Sequence, residues 1–156
     1  MTELKKCLET AGFGDVKTVL GSGNVVFSSR AASRESLQRR IEAEMRTSLG
    51  RVFATTVRSI EELAALQAAD PFKSFELPAR DKRVVTLLRA KPTVKVKLPV
   101  ELDDARILCV KGTEVFSAYV PSPKGPVFMA LIEKTFGKDL TTRTWDTIGK
   151  VVKAGT

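Results

Sequence analysis

The chain contains no histidine. That removes the usual zinc ligand, the Ser–His and Cys–His nucleophile pairs and the commonest general base near neutral pH. Cysteine is almost as scarce. Cys7 and Cys109 stand alone, without a Cys-x-x-Cys pair, which argues against a disulfide scaffold, a zinc site or a thioredoxin-like motif. Aromatic residues make up only 6% of the chain, too few for the stacking strands of an RNA-recognition sheet. No apolar run approaches the ~20 residues that span a bilayer. The start, Met1-Thr2-Glu3-Leu4-Lys5-Lys6, has neither a signal-peptide core nor a myristoylation glycine. These absences set the expectations: a cytoplasmic protein with no membrane partner, no cofactor and no metal, and a reading that leans away from an enzyme.

Nucleotide motifs fail one by one. Gly21-x-Gly23 begins like a dinucleotide fingerprint, but Val26 stands where the third glycine belongs and a strand pattern follows where a helix is required. Gly137-Lys138 has Ile132 in place of the upstream glycine of a Walker A loop. Glu101, Asp103 and Asp104 lack calcium-loop spacing and read as a solvated turn.

What is present is a globular composition: 156 residues, 43% hydrophobic and 28% charged. Leu4, Cys7, Leu8 and Ala11 share one helical face over residues 2–11, and Gly12 ends it. The runs 16–20 and 25–28, parted by Gly21-Ser22-Gly23-Asn24, predict a hairpin. An amphipathic helix is expected over 33–49, a short strand over 52–58, and a helix opened by the capping box Ser59–Glu62. After polar residues 73–81 comes Arg83 to Arg89, a strand buried on both faces. Val94, Val96 and Leu98 alternate with Lys95 and Lys97, as in a lysine-guarded edge strand. A second hairpin spans 107–111 and 115–120, a helix starts at Pro126, a short strand covers 140–143, and Thr144 caps a last helix carrying Trp145, Ile148 and Val152.

Several stretches resemble the bacterial family numbered 1697 among the domains of unknown function. They are Ser22-Gly23-Asn24-Val25-Val26-Phe27, Thr141-Thr142-Arg143-x-Trp145-x-Thr147 with Lys150, and shorter matches in order between them. The resemblance implies an α+β protein of two tandem ferredoxin-like (α/β-plait) halves with antiparallel sheets, and no assigned activity. The halves are expected at 1–78 and 79–156. Members usually open with a strand and a glycine-rich turn, whereas Met1 stands where the first helix begins. The first half is therefore expected to lack its N-terminal, central strand, which would leave backbone groups on its neighbours open to addition of another strand, from this chain or from a second copy.

Three functional readings follow. The first is a non-catalytic binding or interaction module. The second is weak nucleic-acid binding by the basic half: residues 1–78 carry 11 Lys and Arg against 10 Asp and Glu, residues 79–156 carry 15 against 8. Its phosphate contacts would be Lys95, Lys97, Lys124 and Arg143. The third is an anion-binding site, enzymatic or not, with Ser22, Gly23 and Asn24 offering backbone amides, and Thr142 and Arg143 near a helix start.

Overall fold

The computed structural model describes residues 2–20, 23–52, 55–78, 81–89, 91–92, 100–102, 104–121 and 127–156. The chain divides into two compact units, Met1–Gln67 with Asp146–Thr156, and Ala68–Trp145.

The first unit is built from helices on a small sheet. Helix α1 (Thr2–Thr10) is followed by strands β1 (Gly14–Val19) and β2 (Asn24–Ser28), and then by α2 (Arg34–Leu49) and α3 (Ile60–Ala69). β1 and β2 pair antiparallel and form a two-stranded sheet. Its core joins Cys7 and Leu8 of α1, Phe13, Val16 of β1, Ile41 and Met45 of α2, and Val57. Burial raises the pKa of the Cys7 thiol, and the Glu44 charge adds to it, so Cys7 serves packing. The turn after α1 is fixed by Arg40, which donates to the Ala11 carbonyl at 3.0 Å and lies 4.5 Å over the Phe13 ring.

Helix starts follow the sequence closely. The Ser33 hydroxyl accepts from the Ser36 amide, and Gly50 ends α2 at φ 70°, a left-handed position suited to glycine. At α3 the Glu62 amide donates to the Ser59 hydroxyl at 3.1 Å, and the Ser59 amide donates to Glu62 Oε1 at 3.2 Å. Glu62 also pairs with Arg34, tying the two helix starts together. Burial pushes the Glu62 pKa up, but the Ser59 hydrogen bonds and the Arg34 charge outweigh it and hold the carboxyl below its usual range. A depressed folded pKa gives stability that is present above the unfolded carboxylate pKa and lost as pH falls through the folded value. Glu62→Gln is therefore expected to cost up to about 1 kcal/mol near neutrality, because the pair is partly exposed. The gap to the parent protein should close in acid, as read by thermal denaturation across pH.

The second unit is one five-stranded sheet with a helix across it. Its strands are β3 (Lys82–Leu88), β4 (Val100–Leu102), β5 (Ala105–Lys111), β6 (Glu114–Tyr119) and β7 (Leu140–Thr144), with α4 (Val127–Phe136) before the last. The order is β4-β5-β6-β3-β7, and every neighbouring pair is antiparallel. Side chains alternate between the faces of a strand. Val84 and Leu88 of β3, Ile107 of β5 and Val115 of β6 lie in one core with Phe128, Leu131 and Ile132 of α4. The opposite face carries Val85 and Phe116, both fully buried. There Phe72, from the 3-10 turn Pro71–Ser74, meets Phe116 edge-on with ring centroids 5.6 Å apart. Trp145 completes the cluster at 5.2 Å from Phe72 and 6.3 Å from Phe116. Trp145 opens α5 (Trp145–Ala154), whose later residues belong to the first unit and whose buried positions are Ile148 and Val152.

Mixed α+β architecture with antiparallel sheets is thus the fold class. Two stretches differ from the sequence expectation. Among the described residues of 52–58 there is no strand. A strand exists only as a member of a ladder, and here the Val57 amide donates instead to Oε1 of the buried Gln38 on α2, at 3.0 Å. The short strand β4 lies in a stretch that had read as a solvated acidic turn. The expected lysine-guarded strand at 94–98 and the helix-starting Pro126 lie outside the described residues.

Candidate functional site

Each residue singled out in the sequence now has a place or lies outside the described ones. Ser22, Lys95, Lys97 and Lys124 are outside them. Gly23 sits in the turn at φ 82°, a conformation that glycine adopts without strain. Asn24 follows as the first residue of β2. It is 8% exposed, and its Nδ2 donates to the Val19 carbonyl at 3.3 Å, across the hairpin it closes. Its side chain holds the turn.

Thr142 and Arg143 are both in β7, and the ladder decides where they point. Thr142 stands opposite Thr86 and Arg143 opposite Val85. Neighbouring strand residues project to opposite faces. The Thr142 hydroxyl lies 3.1 Å from the hydroxyl of Thr86, which is fully buried on the face that α4 covers. Arg143 is on the other face, with Val85 and Phe116. Its Nη1 donates to the carbonyl of Thr142 at 2.8 Å. Burial pulls its pKa below the usual guanidinium value, a mark of partial desolvation. The structure therefore does not bring the side chains of Thr142 and Arg143 together: one is a core hydroxyl, the other a half-buried cation on the far face.

The rest of the predicted segment is architectural. Thr144 is the last residue of β7 and pairs with Val84. Asp146 lies in the first turn of α5, at the positive end of the helix dipole, and pairs with Lys150 at 3.2 Å. Two arginines of the second unit have carboxylate partners: Arg106 binds the buried carboxylate of Asp81 at 3.0 Å, and Arg89 lies 3.7 Å from Asp139. Cys109 is half-buried beside the ladder irregularity in β5. Burial raises its pKa against the lowering effect of Lys111, which leaves the thiol protonated and weakly nucleophilic at neutral pH.

Sequence reading missed Ser117. It is fully buried opposite Val84, and its Oγ has no hydrogen-bond partner among the described residues. A dry, unsatisfied hydroxyl costs about 1–3 kcal/mol. Ser117→Ala is accordingly expected to leave stability unchanged or raise it by up to about 1 kcal/mol, which denaturant unfolding would read directly.

The family model described as a protein of unknown function, DUF1697, matches residues 1–116. No curated protein matches the chain. Among solved structures, that of a conserved bacterial protein from Streptococcus pneumoniae is similar over 100% of this chain and 88% of its own length, with a TM-score of 0.67 and 20% sequence identity. At that identity the likeness speaks for the fold.

Proposed function

The chain belongs to the DUF1697 family, a family of unknown function, and from that premise we propose that it is a non-catalytic interaction module built from two α/β-plait halves. The strand order supports the plait reading. Taken in chain order, β3, β5, β6 and β7 are arranged β7-β3-β6-β5, the 4-1-3-2 order of a βαββαβ plait, with α4 in the place of the second helix and β4 as an added edge. The first unit repeats the later part of the same order: a helix, a hairpin, and a helix over it. The plait order restarts at Lys82, which is why the halves 1–78 and 79–156 remain the proposed division of the sequence, although α5 packs with the first unit.

One observation carries the non-catalytic reading. Of the nominated residues that are described, Thr142 and Arg143 point to opposite faces and the Asn24 side chain is engaged in its hairpin, while Ser22 and Lys124 lie outside the described residues. Asn24 closes a hairpin, Thr142 pairs with Thr86 in a core, and Arg143 lies on the opposite face of that sheet. A catalytic site needs its groups within hydrogen-bond reach of one reacting centre. The test is a thermal-shift screen of the full chain with inorganic phosphate, nucleotides and single- and double-stranded oligonucleotides. No shift with phosphate or nucleotides is expected, and a saturable shift with either would overturn the reading. Binding of oligonucleotides that collapses with added salt would instead favour the basic half as a phosphate-binding surface.

A further inference from the structure

We propose that one end of the five-stranded sheet is a phosphate-binding surface for the backbone of a nucleic-acid duplex. Lys111 and Lys138 hold it from either side, with Arg89 and Lys91 following β3 between them. This rests on the interaction-module reading and names the class of its partner.

The ladder brings separate segments to that end. The Leu88 amide donates to the Thr113 carbonyl at 2.9 Å, which sets the end of β3 beside the turn joining β5 to β6. Leu88 also stands opposite Leu140, the first residue of β7. Lys111 closes β5, Lys138 lies just before β7, and Arg89 and Lys91 come just after β3. Lys91, Lys111 and Lys138 are exposed, and none of them is in an ion pair among the described residues. α4 ends nearby with Glu133 and Lys134, which offset each other. The other carboxylates are Asp139, already beside Arg89, and Glu114, which is buried.

The opposite end of the sheet is balanced. There Lys82, Arg83 and Arg106 are met by Asp81, Glu101 and Asp104, with Arg106 bonded to Asp81 and standing opposite Glu101. Positive charge is therefore gathered at one end of the strands, where it creates a local field that draws a polyanion.

Spacing and surroundings favour a duplex. β5 and β7 are three strand spacings apart, which places Lys111 and Lys138 about 14 Å apart. One strand of a duplex offers a phosphate every ~3.4 Å along its axis, so this span faces about four of them. Lysines act as point charges and read no base sequence in such contacts. Readers of single strands stack bases on exposed aromatic rings. Here Phe116 and Phe128 are buried and Tyr119 stacks on Phe128 at 4.8 Å. An anionic membrane calls for apolar side chains that insert. The exposed large hydrophobic residues, Leu20 and Val52, both belong to the first unit.

The test is fluorescence anisotropy of a labelled DNA duplex of mixed sequence with the full protein, from about 20 to 200 mM salt. Saturable binding is expected at low salt, with log K falling against log salt at a slope of about −3 to −4. Lys111→Gln combined with Lys138→Gln should flatten that slope by about 2 and weaken binding at least about tenfold at low salt. Lys82→Gln combined with Arg83→Gln removes the same charge from exposed positions at the other end and should leave the slope nearly unchanged. Absence of duplex binding at about 20 mM salt overturns the proposal. Equal losses in the two double variants overturn it too, because net charge alone would then explain binding. So does binding to anionic lipid vesicles without binding to the duplex, which would make a membrane surface the partner. A shift with inorganic phosphate or a nucleotide defeats the module reading whatever the duplex does, so the two failures are distinguishable.

Discussion

Phe116→Ala is expected to lower the stability of the protein by about 3–5 kcal/mol, a fall in Tm on the order of 10 °C. The ring is fully buried in the middle of the five-stranded sheet, and it touches Phe72 and Trp145 edge-on. Truncation loses the transfer energy of a phenyl ring and leaves a cavity. β6 is held by β5 on one side and β3 on the other, so it has little freedom to collapse into that cavity. Both aromatic partners lose their edge-to-face contacts as well. A drop below about 1 kcal/mol in equilibrium denaturation would mean that the cluster is far looser than described.

Gln38→Leu is expected to cost about 1–3 kcal/mol, although it places an apolar side chain of similar size at a position only 2% exposed. On area alone such a change should stabilise. The cost comes from the Val57 amide, which gives its hydrogen bond to Gln38 Oε1 and is buried with the core. Removing the acceptor strands the donor. Gln38→Glu keeps an acceptor but buries a carboxyl, so its stability should fall as pH rises and the carboxyl ionises, whereas that of Gln38→Leu should not, which separates the hydrogen bond from packing. If leucine proves neutral, Val57 has another way to satisfy its amide and the side chain is not its anchor.

Gln38 also shows where sequence reading stopped. Val52–Arg58 has the composition of a strand, and composition describes an inclination to pair, not the presence of a neighbour. The pairing decides, and among the described residues of 52–58 it is absent. Local signals did better because their physics is local. Ser33, the Ser59–Glu62 box and the left-handed Gly50 all follow from groups a few residues apart. The buried succession in β3 was also readable, since a run of Val and Leu has no polar face to show to water.

The candidate site was legible in part. Residues 140–143 read correctly as a strand, and the period of two already implied that Thr142 and Arg143 point apart. Grouping them as one anion site overlooked that consequence. The Thr86–Thr142 pair and the Phe72–Phe116–Trp145 cluster were not accessible in the same way. Their members are tens of residues apart, and only the ladder register sets them face to face. Asn24 was singled out for its backbone amide, and nothing in the sequence signalled that its side chain clasps the hairpin through the Val19 carbonyl.

The central claim is that β2, buried along both faces, has β1 as its strand neighbour among the described residues. Residue-resolved amide hydrogen exchange of dilute protein tests it most directly. Interior amides of β3 and β6 should be uniformly protected, since each has partners on both sides. In β2 the protection should alternate: amides bonded to β1 exchange slowly, and their immediate neighbours exchange faster by orders of magnitude. Uniform protection across residues 24–28 at high dilution would contradict the claim, because it would show that the second edge of β2 is already paired.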